Sequence, residues 1–209
     1  MLQSQTVEQG TLELLKGLME IPELETFALV GGTNLALRFG HRLSIDLDLF
    51  TNQKFDSNKI FDAISGVFPN TELTSKNENM LFLYVNDIKV DIVLLPYVYI
   101  QPVEEIDGVR MVSVPDIIAM KLHAVSTRGV KKDFWDIAEL LNYYSIADMV
   151  QFFKTKYSKQ DVWYILRSMI YFEDAEQQIK DPDPLKKVTW KQVKKKMKTE
   201  VTQYIRNQV

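Results

Sequence analysis

The feature that most constrains the fold of this chain is a pair of aspartates set in an apolar run. The segment over residues 27–50 reads FALVGGTNLALRFGHRLSIDLDLF, with Asp46 and Asp48 two positions apart. Because side chains i and i+2 of a β-strand point to the same face, both carboxylates would project together, away from Leu47 and Leu49. Adjacent carboxylates repel each other, and Mg²⁺ is a usual counter-charge. The strand therefore predicts a metal site.

A glycine pair precedes these aspartates. Gly31 and Gly32 end the apolar run Phe27–Val30, and a turn at this point would let backbone N–H groups approach a phosphate. A phosphate-binding turn beside a pair of carboxylates that can bind a metal ion indicates a nucleotide site.

A third carboxylate lies in the segment MLFLYVNDIKVDIVLL, which predicts a β-hairpin over residues 80–95. Asp91 falls in mid-strand among apolar residues, where an unpaired charge would be costly. If its strand lies beside that of Asp46 and Asp48, the three carboxylates would hold two divalent cations about 4 Å apart, an arrangement used in phosphoryl transfer. The alternative is that Asp91 pairs with Lys89 or with an arginine at a sheet edge.

The predicted elements divide the chain near Pro115. The first part, 1–115, combines strands at 27–30, 45–50, within 80–95 and at 109–114 with helices at 7–20, 34–39 and 57–68. The second part, 116–209, is predicted as helices at 116–127, 133–143, 146–156, 160–171 and 188–207. The pattern predicts an α/β core followed by a helical region.

Charged residues of the second part recur at helical spacing. Lys121 and Arg128 are seven apart and share a helix face, and Asp133 and Asp136 are three apart on the next helix. In the functional interpretation Lys121 reaches a nucleotide phosphate and Asp136 orients a base or substrate group. The alternative is ordinary ion pairing on a helix surface. Spacing leaves both interpretations open.

Composition excludes several kinds of site. The chain has no cysteine and two histidines, which excludes disulfides and thiolate metal sites and leaves little room for a histidine-rich zinc site. No apolar run approaches 18 residues, so we expect no membrane segment and a cytoplasmic protein. Residues 186–198 hold seven lysines and no acid. Such a run either contacts phosphates or an acidic partner, or is a solvated helix face.

Together these segments resemble the nucleotidyltransferase AbiEii/AbiGii toxin family, a branch of the DNA polymerase β-like nucleotidyltransferase superfamily. The resemblance covers about residues 25–175 and rests on GGTNLAL, RLSIDLDLF, VDIVLLPY, KLHAVSTRGVKKDFWDIAEL and YFEDAEQQ, in this order. It implies an α+β fold, with a small mixed sheet flanked by helices and a helical C-terminal region. It also implies transfer of a nucleoside monophosphate from an NTP to a hydroxyl, for some relatives at the 3′ end of tRNA, by the toxin of a bacterial toxin–antitoxin or phage-defence pair.

The resemblance also implies roles for single residues. It makes Gly31, Gly32 and Thr33 the phosphate-binding turn, Asp46 and Asp48 the ligands of two Mg²⁺ ions, and Asp91 a third carboxylate that helps deprotonate the acceptor. It places Lys121 on the triphosphate, and Arg128, on the same helix face, is predicted to bind the nucleotide too. It makes Asp136 the acidic residue of the last motif and assigns no settled role to Asp133 or Asp174. Threonine follows the glycines here, where many superfamily members have Gly-Ser.

Two hypotheses of different class follow. The first is an active Mg²⁺-dependent nucleotidyltransferase that acts as a toxin and has a cognate antitoxin. The second is a catalytically inactive relative that binds a nucleotide or a partner protein on the same fold. Within the enzyme class, a transferase that modifies a small molecule or a protein is the alternative.

Overall fold

The computed structural model describes residues 1–208, and the chain forms two compact units. The first unit is Met1–Ser113, and the second begins at Val114. The predicted elements change character at nearly the same place, where the short strand before Pro115 gives way to helices.

The first unit is built on a mixed β-sheet that contains seven described strands. These are β1 Ala28–Leu29, β2 Leu47–Thr51, β3 Thr71–Lys76, β4 Met80–Val85, β5 Ile88–Leu94, β6 Glu104–Ile106 and β7 Val109–Met111. Their order across the sheet is β3-β4-β5-β2-β1-β7-β6. The pairs β2–β5 and β1–β7 are parallel, and the other four are antiparallel. The predicted α+β class with a mixed sheet is confirmed.

Three α-helices accompany the sheet: α1 Gln9–Met19, α2 Gly31–Phe39 and α3 Ser57–Val67. The carboxylate of Asp56 accepts the backbone N–H of Asn58 at 2.9 Å and so caps the N-terminus of α3. The hairpin of β4 and β5 turns at Asn86 and Asp87, both with positive φ. Paired positive φ values match the right-handed twist of the strands, which explains the tight connection.

The second unit is helical, as predicted. Its helices are α4 Val114–Thr127, α5 Lys131–Leu140, α6 Ile146–Lys156, α7 Val162–Ser168, α8 Glu173–Glu176 and α9 Trp190–Arg206. Helix α6 has the predicted bounds and begins with a capping box in which Ser145 and Asp148 bond each other's backbone. Within residues 1–208, no helix combines the length and the apolar character needed to cross a membrane.

The lysine-rich run forms the segment before α9 and most of that helix. Several of its lysines bind groups of the same unit: Lys186 contacts Glu139 at 2.6 Å, Lys196 donates to the carbonyl of Ala138 at 2.8 Å, and Lys194 pairs with Glu176. The exposed lysines of the run include Lys187, Lys191 and Lys195. Glutamates of the helical unit thus pair with at least two of the run's seven lysines.

Candidate active site

Two of the predicted carboxylates, Asp48 and Asp91, lie side by side on neighbouring parallel strands of the sheet. Strands β2 and β5 pair so that Asp48 is the register partner of Asp91, and partners in a ladder project to the same face. Leu47 and Leu49, on the opposite face of β2, are fully buried. Asp48 therefore alternates with Leu47 and Leu49 along β2, and its strand lies beside that of Asp91, as the three-carboxylate hypothesis required.

Asp46 lies just before β2, because that strand begins at Leu47 rather than at Ile45 as predicted. Its position is fixed through the main chain. The buried hydroxyl of Thr33 donates to the carbonyl oxygen of Asp46 and lies 2.8 Å from the hydroxyl of Ser44. Thr33 thus ties the start of α2 to the loop that carries the first carboxylate, and its role in phosphate binding stays a prediction.

The glycine pair forms the first turn of α2, so this helix starts three residues earlier than predicted. Gly31 has a φ of +73°, and a Cβ atom at this position would lie 2.3 Å from Oδ2 of Asp48. The backbone N–H of Val30 donates to the carbonyl of Asp48 at 2.9 Å. Only glycine fits this conformation and this close approach to the carboxylate. The glycine turn and the strand that carries Asp48 therefore pack directly against each other.

A buried asparagine holds this turn in place. The side-chain amide of Asn34 donates to the carbonyl of Leu29 at 2.7 Å and to that of Val112 at 3.0 Å, joining α2 to the strand ends. Sequence reasoning missed Asn34 and Ser44. The signal for Asn34 was present, because a lone amide among the apolar residues of α2 needs buried hydrogen-bond partners.

We expect the substitution Gly31→Ala to disturb the site more than backbone strain alone explains. Gly108 is the matched control, since it has a φ of +79° and no atom within 4 Å of its would-be Cβ. Gly108→Ala should cost about 1–2 kcal/mol of stability from the left-handed conformation. Gly31→Ala adds a clash with the Asp48 carboxylate, so its loss should be larger and divalent-ion binding should weaken. Urea unfolding and metal titration of both variants measure this; equal effects would contradict the close approach.

Lys89 pairs with the third carboxylate. Its Nζ lies 2.5 Å from Oδ2 of Asp91, so the alternative that the sequence left open is present in the structure. Partial burial alone would lower the pKa of Lys89, but the hydrogen bond and charge of Asp91 and the charges of Asp48 and Asp46 outweigh it and raise that pKa. The ammonium therefore lies in the combined field of all three carboxylates.

The three carboxylates do not form a closed metal site. Among residues 1–208, no group of three or more His, Cys, Asp or Glu side chains is already gathered closely enough to hold a metal. Two observations nevertheless fit Mg²⁺: Oδ1 of Asp91 is buried and has no hydrogen-bond partner within the described chain, and all the donors are hard carboxylate oxygens. The metal roles of Asp46, Asp48 and Asp91 stay predictions.

In the second unit the predicted charged residues form one buried network between α4 and α5. Nζ of Lys121 lies 2.7 Å from Oδ1 of Asp133 and 2.6 Å from Oδ2 of Asp136. Arg128 binds Asp133 with two nitrogens, Nε at 2.7 Å and a terminal nitrogen at 2.9 Å. The predicted shared face of Lys121 and Arg128 is confirmed, because both bind Asp133. The two ion pairs of Lys121 are buried, unlike the surface pairs of the alternative, whereas Arg128 is half-exposed.

Burial and charge act in opposite directions on this network. Burial alone would raise the pKa of Asp133, but the charge of Lys121 and the hydrogen bonds and charge of Arg128 hold that pKa below its ordinary value. The side chain of Lys121 is 5% exposed, whereas that of Arg128 is 53% exposed. Asp174 lies against Gly129, the residue after Arg128. The guanidinium of Arg128 is therefore accessible to solvent, whereas the ammonium of Lys121 is buried.

Comparison with known proteins identifies the family and the fold. The family described as "Nucleotidyl transferase AbiEii toxin, Type IV TA system" matches residues 13–207. An uncharacterized protein, aq_aa25, from Aquifex aeolicus (strain VF5) is 31% identical over 202 residues, which are 93% of this chain and 96% of that protein.

Two solved structures share the fold at low sequence identity. JHP933 from Helicobacter pylori superposes with a TM-score of 0.59 at 18% identity, over 96% of this chain and 94% of its own. MenT4, the nucleotidyltransferase toxin Rv2826c from Mycobacterium tuberculosis H37Rv, gives a TM-score of 0.60 at 14% identity, over 90% of this chain and 79% of its own.

Proposed function

This chain belongs to the AbiEii nucleotidyl transferase toxin family, and on that premise we propose that it transfers a nucleoside monophosphate from an NTP to an acceptor hydroxyl in a Mg²⁺-dependent reaction. The observation that carries the proposal is the pairing of Asp48 with Asp91 across parallel strands, with Gly31 against the Asp48 carboxylate. This arrangement joins a turn suited to phosphate to oxygen ligands suited to a hard cation.

In the proposed reaction the acceptor oxygen forms a bond to the α-phosphorus of the NTP. The bond from that phosphorus to the oxygen bridging it to the β-phosphate breaks, and pyrophosphate leaves. Two Mg²⁺ ions, when bound, supply charge stabilisation for the attacking and leaving oxygens. Asp46 and Asp48 would hold these ions together with Asp91. Asp91 would also help to take up the proton of the acceptor hydroxyl.

The charged network of the second unit is proposed to act on the triphosphate. Lys121 and Arg128 are the predicted phosphate contacts, and Asp136 is predicted to orient a base or substrate group. Arg128 suits the contact because its guanidinium is half-exposed and a guanidinium forms bidentate bonds with oxyanions, although two of its nitrogens already bind Asp133. Lys121 would first have to exchange a bond to Asp133 or Asp136 for one to phosphate.

We propose a toxin of a bacterial toxin–antitoxin or phage-defence pair as the biological role. Family membership supports this role and implies a cognate antitoxin protein. RNA is the proposed acceptor, with the 3′ end of tRNA as the first candidate, and the cytoplasm is the proposed compartment because NTPs and tRNA are both there.

Incorporation of label from each of the four α-³²P NTPs tests the proposal directly. The full chain is incubated with Mg²⁺ and total bacterial RNA, and with EDTA in the control. We expect label from at least one NTP to enter RNA only when Mg²⁺ is present. Label in protein or in a small molecule would contradict the RNA acceptor. No label in any fraction, together with no thermal shift on adding NTP and Mg²⁺, would contradict the proposed nucleotidyltransferase activity.

A further inference from the structure

The exposed side of α9 carries a row of positive charges. Lys191, Lys195 and Lys198 follow one another at spacings of four and three residues, so they lie on one face of the helix. Arg206 continues that face near the end of the helix, and all four side chains are exposed. These four residues are called the cationic stripe. The other side of α9 packs into the helical unit through three buried apolar residues: Val193, Met197 and Val201.

The cationic stripe is a face of one sign. Within the part of the chain that the structure describes, none of its four side chains forms an ion pair, although Lys198 lies 5.7 Å from the centre of the Phe172 ring. Helix α9 contains one carboxylate, that of Glu200. Burial lowers the pKa of Lys196 against the charges of Glu139 and Glu200, so Glu200 acts on a lysine outside the stripe.

The sequence places these charges where they weaken the helix. Lys191 lies in the first turn of α9, which contains no acidic residue, and the positive end of the helix dipole repels a cation there. Lys195 is four residues from Lys191 and three from Lys198, and like charges at these spacings repel each other. A face that served solubility alone would gain stability from glutamates among the lysines. The stripe is therefore better explained by a negatively charged ligand.

The chemistry of this face favours a phosphate backbone over an acidic protein. No large apolar side chain of α9 is exposed. Protein interfaces derive most of their binding energy from a few buried aromatic, arginine or apolar anchors, which a purely polar face lacks. Phosphate oxygens instead accept contacts from cations, amides and hydroxyls. The other exposed residues of the helix include such amides and hydroxyls: Gln192, Thr199, Thr202 and Gln203.

We propose that the cationic stripe binds the phosphate backbone of RNA, independently of base sequence. From Lys191 to Arg206 the stripe extends about 22 Å at 1.5 Å per residue, so that it contacts several phosphates of one strand. The choice of RNA rests on the proposed function, whose acceptor is RNA. The stripe adds to that function a surface that holds the acceptor by its backbone, within the helical unit itself.

Fluorescence anisotropy of a short labelled single-stranded RNA tests the proposal. The full chain is titrated at several KCl concentrations in EDTA, so that neither metal binding nor catalysis contributes. For single strands, log K falls by about 0.7 per phosphate contact for each tenfold rise in salt. The double variant Lys191→Gln/Lys195→Gln should therefore lower that slope by about 1.4 and bind about 25-fold more weakly at about 0.1 M KCl.

Two further variants are matched controls. Lys154→Gln/Lys159→Gln removes two exposed lysines of the same unit that lie outside α9, and it should keep the affinity and the salt slope of the wild type. Lys191→Arg/Lys195→Arg keeps the charge of the stripe and should also bind as the wild type does. Melting curves should show the glutamine stripe variant to be no less stable than the wild type, because it removes repulsion within α9. If it does not fold, Lys195→Gln alone, with an expected loss of about fivefold, replaces it.

Several outcomes would overturn the proposal. They are an unchanged affinity and salt slope in the glutamine stripe variant, an equal loss in Lys154→Gln/Lys159→Gln, and no RNA binding by the wild type at low salt. Tighter binding of polyglutamate, or of DNA of the same sequence, would assign the stripe to an acidic protein or to DNA and contradict RNA. A chain that binds RNA through the stripe but transfers no nucleotide would contradict the proposed function alone.

Discussion

The substitution Asp48→Asn is expected to lower nucleotidyl transfer by at least about a hundredfold, since bound metal supplies several kcal/mol of transition-state stabilisation. Asparagine keeps the shape of the side chain, and so it preserves the contact with Gly31. It removes the negative charge that the metal requires. The rate of α-labelled NTP incorporation at saturating Mg²⁺ measures the loss.

The same substitution should change the stability of the protein by no more than about 1 kcal/mol, because it removes both the repulsion from Asp91 and the attraction of Lys89. Like charges directly opposite each other on neighbouring strands are destabilising, and Asp48 lies opposite Asp91. Lost activity with retained stability is typical of a residue kept for function. Urea unfolding without metal gives this second readout.

Asp62→Asn is the matched control for Asp48→Asn. Asp62 is an exposed aspartate of α3 in the same unit, so the substitution removes the same charge away from the sheet. We expect activity and stability within the error of the wild type. Full activity of Asp48→Asn would remove Asp48 from the metal site. Equal losses in both variants would mean that the total charge of the unit, rather than this carboxylate, controls the reaction.

The strands of the candidate site could be predicted from the sequence because their buried faces require apolar residues at regular positions. In β2, Leu47 and Leu49 flank the carboxylate of Asp48, and in β4 and β5 apolar runs flank a turn with Asn86 and Asp87. The edge strand β3, Thr71–Lys76, was not predicted. Its residues TELTSK are mostly exposed and show no apolar alternation, so only its pairing with β4 makes it a strand. Strand β6 was missed for the same reason.

The contacts of the candidate site were less predictable than its strands. Helical spacing placed Lys121 and Arg128 on one face, but it could not tell that both would bind Asp133 in a buried network. For Asp91 the sequence left a metal and Lys89 as alternatives, and the structure contains the lysine pair while leaving one oxygen of the carboxylate for another ligand. Spacing identifies neighbours within one element, whereas partners on different elements depend on tertiary packing.

A buried ion pair that belongs to no predicted motif leads to the second large effect. Nζ of Lys156 in α6 lies 2.7 Å from Oδ1 of Asp116 in α4, and both side chains are 0% exposed. The residues are 40 positions apart, so no local spacing indicated the pair. Lys156→Met should destabilise the protein by about 3–5 kcal/mol, because it leaves the Asp116 charge buried without this counter-charge. Urea unfolding followed by far-UV circular dichroism measures the loss.

Lys154→Met controls for the lost charge on the same helix. Lys154 is exposed, so its replacement should change stability by no more than about 0.5 kcal/mol. A Lys156→Met variant no less stable than Lys154→Met would contradict a stabilising role of the pair.

The double variant Asp116→Asn/Lys156→Met separates two causes of that loss. If the loss comes from the buried charge of Asp116, neutral asparagine should restore most of the lost stability, although the ion pair is still absent. If it comes from missing packing of the lysine stem, the double variant should stay as unstable as Lys156→Met. Recovery would mean that the pair adds little net stability and acts instead to fix how α4 and α6 pack, because a misplaced helix would bury both charges unpaired.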